Sequence, residues 1–239
     1  MDGFQFYFQP KVDRSENRIV GYEILLRNTE KNPYYPAKQM EKIIYNKEAH
    51  SYFLEWFQEE LIRLLKLFPN VIFSVNFAPR QLLYPETHNF FKTFQPYVEQ
   101  LIIEITEEAP MFSESIGKFS SEVLEHQFQT TFASMKAMGY SISMDDVGSG
   151  KNSLDEVLKY TSYLTQIKFS IVKCNKKNLN KETLRHFLSA WKQVAVDYHL
   201  DFIIEGIEDY ETSDEMKKYG IDIQQGYYFG KPSKYIVMT

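Results

Sequence analysis

Hydrophobic residues along the chain fall into short apolar runs and longer stretches with an apolar residue at every third or fourth position. Short runs are typical of buried strands, and the three-to-four spacing is typical of amphipathic helices. Two β-like segments, 4–12 and 18–26, open the chain and flank five polar residues, 13–17. This pattern predicts a β-hairpin.

Helical patterns separate most of the later apolar runs. The predicted helix 48–68 carries its apolar residues on one face, and a second apolar face ends at Gly139, a residue typical of helix ends. The first face is Phe53, Phe57, Leu61, Leu64 and Phe68, the second is Leu124, Phe128, Phe132 and Met135, and a further face is Leu184, Phe187, Leu188, Trp191, Val194 and Tyr198. The strands are predicted at 71–75, 101–105, 140–144, 164–169, 202–204 and, less clearly, 221–223.

Two further helix starts are predicted from the spacing of a hydroxyl and a carboxylate. Ser153 with Glu156, and Thr212 with Glu215, have the three-residue spacing of a capping box. Strands and helices therefore alternate along the chain, about every 25 to 40 residues, without a linker rich in Pro, Gly or Ser. We expect one α/β barrel domain over residues 1–239 rather than two domains.

Composition and charge narrow the class of protein. The 239 residues are 44% hydrophobic and 25% charged, which is typical of a folded globular chain. The formal net charge of −5 disfavours non-specific binding to duplex nucleic acid, so an anionic ligand would need locally placed positive charge. With no secretory pattern at the start, no apolar run near about 18 residues and a single cysteine, Cys174, we expect a cytoplasmic protein away from membranes.

Polar residues follow the predicted strands at the point where each strand ends. The carboxyl ends of barrel strands meet at one mouth, so such residues form a single site although they are distant in sequence. One carboxylate at a strand end could simply cap the next helix, but a repeated pattern favours a site. The residues are Glu23, Asn76, Glu104, Asp145, Asp146, Lys168, Glu205 and Gln225.

Five carboxylates in one pocket predict bound cations. Without compensation the carboxylates would raise one another's pKa values. Oxygen ligands without cysteine suit Mg²⁺ or Mn²⁺. The adjacent Asp145 and Asp146 can serve two ions about 3.5–4 Å apart, the arrangement used in phosphoester displacement. Two divalent cations would also balance the charge of five carboxylates and Lys168.

Other chemistries find little support in the sequence. The five histidines show no H-E-x-x-H spacing, and a P-loop pattern is absent. The turn Gly148-Ser149-Gly150 is too common a pattern to indicate phosphate binding by itself. Cys174 lacks the sequence context of a nucleophile.

At these residues the chain resembles the EAL domain family, which consists of cyclic di-GMP phosphodiesterases with a modified TIM (β/α)8 barrel whose first strand is antiparallel. The likeness extends from FQP at 8–10 to GKP at 230–232, with Ile24 where the alanine of the family name would stand. The motifs that carry it are YEILLR at 22–27, SVNFAPRQL at 74–82, EITE at 104–107, DDVGSG at 145–150, EGIE at 205–208 and QGY at 225–227.

The resemblance implies a role for each matching position. Glu23, Asn76, Glu104 and Asp145 would hold one cation, and Asp145 with Asp146 the second. The implied catalytic residues are Lys168 and Gln225, which would position the attacking water, Glu205 close to the second cation, and Glu107, which would brace the loop that begins at Asp145. The implied substrate contacts are Gln9, Arg27 and Asp146. The product would be linear pGpG, and the family likeness also implies a homodimer.

Four positions depart from the family pattern. Val147 replaces the usual Phe, Lys151 stands where an aromatic residue is common, and Phe169-Ser170 follows Lys168 where Ile-Asp is expected. Loss of a carboxylate that orients metal ligands can slow an enzyme about 10–100-fold. The sequence therefore leaves an alternative open, a weakly active or inactive domain that binds cyclic di-GMP as a receptor or serves as a partner-interaction module.

Overall fold

The computed structural model describes residues 3–107, 121–149, 152–175 and 180–237; the side chains of Ser121, Cys174 and Asn175 also lie outside the described set. The expectations for Gly150, Lys151 and the Cys174 side chain therefore fall outside it. Eight strands form a closed barrel in chain order. They are β1 (Phe4–Asp13), β2 (Arg18–Asn28), β3 (Phe73–Phe77), β4 (Leu101–Ile105), β5 (Ser141–Met144), β6 (Gln166–Ser170), β7 (Asp201–Glu205) and β8 (Ile223–Gln225).

Helices connect the strands on the outside of the barrel. No helix among the described residues is long and apolar enough to cross a membrane. Two 3-10 helices, Pro79–Leu83 and Gln95–Gln100, flank α3. The α-helices are α1 (Ala37–Tyr45), α2 (Lys47–Leu67), α3 (Pro85–Phe94), α4 (Ser121–Ala137), α5 (Leu154–Tyr160), α6 (Ile171–Asn175), α7 (Lys181–Asp197) and α8 (Tyr210–Lys218).

The first strand runs against the other seven. β1 pairs antiparallel with β2 as the predicted hairpin and antiparallel with β8, whereas the pairs from β2 to β8 are parallel. The predicted fold, a modified TIM barrel with an antiparallel first strand, is confirmed. Because β1 is inverted, its first half reaches the carboxyl-terminal mouth, so Gln9 lies opposite Glu23 in the register.

Strand alternation separates the apolar core from the polar interior of the mouth. In β3, Phe73, Val75 and Phe77 are buried beneath the outer helices, and Ser74 and Asn76 lie on the opposite face. Phe77 contacts Phe90 of α3 with ring centroids 5.3 Å apart. The aromatic layer between sheet and helices thus fixes which side chains point into the barrel.

Some predicted boundaries and faces are wrong by a few residues. The predicted strand 71–75 lies two residues early, because the Val71 amide bonds Phe68 O in the turn that ends α2. The predicted strand 221–223 is early for a similar reason, since the Ile221 amide bonds Met216 O. The predicted α7 face is also too wide, because Phe187 and Tyr198 are exposed.

One of the two predicted helix starts is confirmed and one is displaced. Ser153 accepts a hydrogen bond from the Glu156 amide at 3.3 Å and caps α5. The cap of α8 is instead Asp209, which accepts from the Thr212 amide at 2.7 Å. Aspartate is a better N-cap than threonine, whereas the capping-box spacing points only to Thr212, so the pattern placed the start of the helix three residues late.

Candidate active site at the mouth of the barrel

Strand register brings the predicted polar residues to one level of the barrel. Asn76 of β3 lies beside Glu104 of β4. On the other side of the barrel Ser170, Glu205 and Gln225 are consecutive partners across β6, β7 and β8. The sequence prediction that strand ends converge is therefore met by the geometry.

The ammonium of Lys168 lies among four of the predicted carboxylates. Lys168 is fully buried, and its Nζ is 2.9 Å from Glu104 Oε2 and 3.1 Å from Asp145 Oδ1. Glu205 Oε2 follows at 3.3 Å and Glu23 Oε2 at 3.6 Å. Burial opposes a charged lysine, but these carboxylates raise the pKa of Lys168 well above its ordinary value.

A second lysine, Lys11, enters the site from the floor of the barrel. Its Nζ donates to Ser74 Oγ at 2.8 Å and forms a close ion pair with Glu104. Lys11 is not among the site residues predicted from the sequence, although its position two residues after Gln9 on the same face of β1 could have revealed it.

The innermost carboxylates have opposite protonation tendencies. Burial alone would raise the pKa of Glu104, but Lys11 and Lys168 lower it to about 2. Burial, opposed by Lys168, raises the pKa of Asp145 well above its ordinary value, and the carboxylates beside it act in the same direction. Glu104 is thus compensated by ammonium groups, whereas Asp145 lacks sufficient positive charge.

Amide side chains orient Glu23. Asn76 Nδ2 donates to Glu23 Oε1 at 2.8 Å, and Gln225 Nε2 donates to Glu23 Oε2 at 2.6 Å. Gln225 Nε2 also lies 3.3 Å from Gln9 Oε1, and Gln9 Nε2 donates to Gly230 O at 3.2 Å. Gln225 Oε1 is buried and has no hydrogen-bond partner among the described residues, so it can accept a hydrogen bond from a ligand or water.

The loop after β5 presents Asp145 and Asp146 through an unusual backbone. Asp146 has a φ of +51°, a left-handed conformation that Asp tolerates better than most residues. Its amide donates to Asp145 Oδ1 at 3.0 Å, and the Val147 amide donates to Lys168 O at 2.9 Å. Val147 is buried and joins this loop to β6.

A third lysine, Lys173, pairs with the outer carboxylates of the site. Glu107, Asp145 and Asp146 bring ligand oxygens within 4.8 Å of one another, and Lys173 Nζ makes close ion pairs with Glu107 and Asp146. Burial and the charge of Glu205 raise the pKa of Asp146 to about 7, against the hydrogen bond from Lys173. Lys173 is not among the site residues predicted from the sequence, and neither spacing nor motif signals it.

A cavity of about 240 Å³ opens beside this network. Three residues predicted for the site, Gln9, Glu205 and Gln225, line the cavity. Ser170, which departs from the family pattern, and the exposed Tyr227 line it as well. Arg27 lies outside the ion-pair network, with its guanidinium 5.9 Å from the centre of the Tyr7 ring.

The residues present fit hard divalent cations. Six carboxylates face three ammonium groups, so the site carries excess negative charge. Asp146 Oδ1 is buried and has no hydrogen-bond partner among the described residues, which is a costly state for a carboxylate oxygen. Carboxylate and amide oxygens are the donors that Mg²⁺ and Mn²⁺ prefer.

Comparison with known proteins gives consistent matches along the chain. Residues 1–232 match the family model described as EAL domain. The probable cyclic di-GMP phosphodiesterase PdeN of Escherichia coli is 24% identical over 244 residues, covering 95% of this chain and 43% of that protein. The cyclic di-GMP phosphodiesterase RocR of Pseudomonas aeruginosa is 24% identical over 240 residues, covering 96% and 57%. The chain thus spans about half the length of these curated relatives.

Solved structures show the same fold. BlrP1 of Klebsiella pneumoniae, solved with calcium and cyclic di-GMP, superposes with a TM-score of 0.77 at 20% identity. The superposition covers 98% of this chain and 57% of that chain.

Proposed function

This chain belongs to the EAL domain family, and from that premise we propose that it is a metal-dependent phosphodiesterase that hydrolyses cyclic di-GMP to linear pGpG. The observation that carries the proposal is the convergence of Glu23, Glu104, Asp145 and Glu205 on the Lys168 ammonium, beside an open cavity. Relatives named as cyclic di-GMP phosphodiesterases support the choice of substrate.

The oxygen donors divide into two sets around Asp145. Glu23, Asn76, Glu104 and Asp145 would hold one Mg²⁺ or Mn²⁺, and Asp145 with Asp146 a second. Such ions lower the pKa of a bound water toward neutrality and stabilise charge on phosphoryl oxygens. The excess negative charge of the site and the unpartnered Asp146 Oδ1 support this assignment.

Lys168 and Gln225 would position the attacking water. The Lys168 ammonium donates to Glu104 Oε2 at 2.9 Å and lies among the other carboxylates, so its position is set before substrate arrives, and a remaining hydrogen can be donated to the water. Gln225 is held through its Nε2 by Glu23, which leaves its buried Oε1 to accept a hydrogen bond from the water. Glu205, partly exposed at the cavity edge, would hold the second cation from that side.

The remaining residues would hold the substrate and the loop. Gln9 lines the cavity, Arg27 supplies a positive charge near the mouth, and Asp146 would contact the ligand at the loop. Glu107 reaches Asp146 through Lys173, which would brace the loop. We also propose, from the family likeness, that the protein forms a homodimer in the cytoplasm.

Incubation with cyclic di-GMP and Mg²⁺ or Mn²⁺, followed by chromatography, tests the proposal. We expect pGpG to accumulate with the unmodified protein. Glu23→Gln keeps the size of the side chain but removes the charge of a ligand, so its rate should fall at least 100-fold. Absence of pGpG from the unmodified protein under both metals would refute the proposal.

A second candidate function is a cyclic di-GMP receptor with little or no turnover. The observation that favours it is the ion pair between Lys173 and Asp146, together with Ser170 at the cavity wall where the family has a carboxylate. Calorimetry separates the two functions, because a receptor would bind the dinucleotide tightly and release it unchanged.

A further inference from the structure

Lys173 lies in the candidate active site, but the proposed function gives it no part in catalysis. α6 begins directly after β6, and its third residue turns back over the mouth toward the loop that carries Asp146. Lys173 Nζ contacts Asp146 Oδ2 and Glu107 Oε1 in close ion pairs. The contact joins three separate loops of the mouth, so it is not a local helix pair.

These two carboxylates belong to the trio that could hold a metal ion. Glu107, Asp145 and Asp146 place one ligand oxygen each within 4.8 Å of the others. The Lys173 ammonium is paired with two of these three carboxylates, and it is positively charged, as a metal cation is. A lysine ammonium is a compact point charge with three donors, which suits it to this substitution.

The side chain at the end of β6 also adds no negative charge at this point. Ser170 is buried there, next to Glu205 in the register, and it is neutral. The second-cation position therefore has no carboxylate from β6, and the Lys173 ammonium pairs with two of the carboxylates that it does have. Both features weaken the attraction for a divalent ion there.

We propose that the Lys173 ammonium occupies the position of the second cation, so that the site takes up one divalent ion, at Glu23, Asn76, Glu104 and Asp145, instead of two. This inference rests on the proposed function and revises one part of it, because the ammonium replaces the second cation that was assigned to Asp145 and Asp146. Two of the three ammonium hydrogens serve Asp146 and Glu107, which leaves the third for a phosphate oxygen of the ligand.

The test is the number of Mn²⁺ ions bound without substrate, measured by equilibrium dialysis with elemental analysis at pH 8 and 1 mM free Mn²⁺. We expect one ion per chain for the unmodified protein and two for Lys173→Met. Lys159→Met is the matched control, since Lys159 pairs with Glu156 on the surface of α5, and it should bind one ion. A near-ultraviolet spectrum verifies that each variant is folded, and Lys173→Gln replaces the methionine variant if that one is not.

Two ions on the unmodified protein overturn the inference, and this measurement needs no variant. Equal numbers on the unmodified protein and Lys173→Met also overturn it. Hydrolysis of cyclic di-GMP by the same preparations separates the two proposals. If two ions bind and pGpG forms, only the role of Lys173 fails; if no ion binds and no pGpG forms, the proposed function fails as well.

Discussion

Replacement of Lys168 by methionine should strongly destabilise the metal-free protein. The methionine side chain matches the lysine stem in volume, so the packing changes little and the main effect is electrostatic. Lys168 is fully buried, with carboxylate oxygens at 2.9, 3.1, 3.3 and 3.6 Å. Removal of one partner from a buried ion pair costs about 3–5 kcal/mol. For a chain of this size that loss lowers the melting temperature by about 6–20 °C.

The pH dependence gives the prediction a second readout. Without the ammonium, the pKa of Asp145, which is already raised in the folded protein, rises further, and Glu104 loses one of the two lysines that lower its pKa. The folded variant then binds more protons than the unfolded one, so its stability increases as the pH falls. We therefore expect a larger difference from the unmodified protein at pH 8 than at pH 5.5.

Urea and thermal unfolding in the presence of EDTA measure the effect. Lys159→Met provides the comparison, since its surface pair with Glu156 contributes less than about 1 kcal/mol. A loss at Lys168 no larger than that at Lys159, or a loss that grows as the pH falls, would refute the electrostatic reasoning. Addition of Mg²⁺ should recover part of the lost stability of Lys168→Met, because a cation can take over charge compensation.

Three further predictions concern other parts of the chain. Burial lowers the pKa of His50 to about 4, so the free energy of unfolding should fall by up to about 3 kcal/mol between pH 6.5 and pH 4. In urea titrations, His50→Gln should remove this part of the pH dependence. In Gly226→Ala the new Cβ would lie 2.0 Å from Ile207 O; we expect a loss of at least about 3 kcal/mol by urea unfolding, and an unchanged midpoint would contradict the clash. Ser170→Asp should raise pGpG turnover about 10-fold at limiting Mg²⁺, and an equal or lower rate would show that the missing carboxylate does not limit it.

The sequence predicts the barrel and the charged mouth because both depend on strand alternation. Apolar residues such as Phe73 and Val75 mark the strands, and polar residues at strand ends mark the mouth. Boundaries are less predictable where an apolar residue caps a helix instead of entering a strand. Ile221 is such a case, since its amide closes the end of α8.

Two of the lysines that neutralise the mouth cannot be predicted from the polar residues at strand ends. Lys11 follows from strand alternation once the direction of β1 is known. Lys173 depends on the angle at which α6 leaves β6, which is set by tertiary packing and has no local signal. A charge balance drawn from strand ends alone therefore omits two ammonium groups.

The closure of the barrel between β1 and β8 has a consequence for synthesis on the ribosome. Glu23 and Gln225 are bonded across 202 positions, and the Phe8 amide bonds Ser233 O at 2.7 Å. Contacts of such long range form slowly, because a large loop must close before they are gained. A nascent chain that has not yet extended past Gln225 exposes an unpaired β1 edge, so chaperone protection during translation would matter most in that interval.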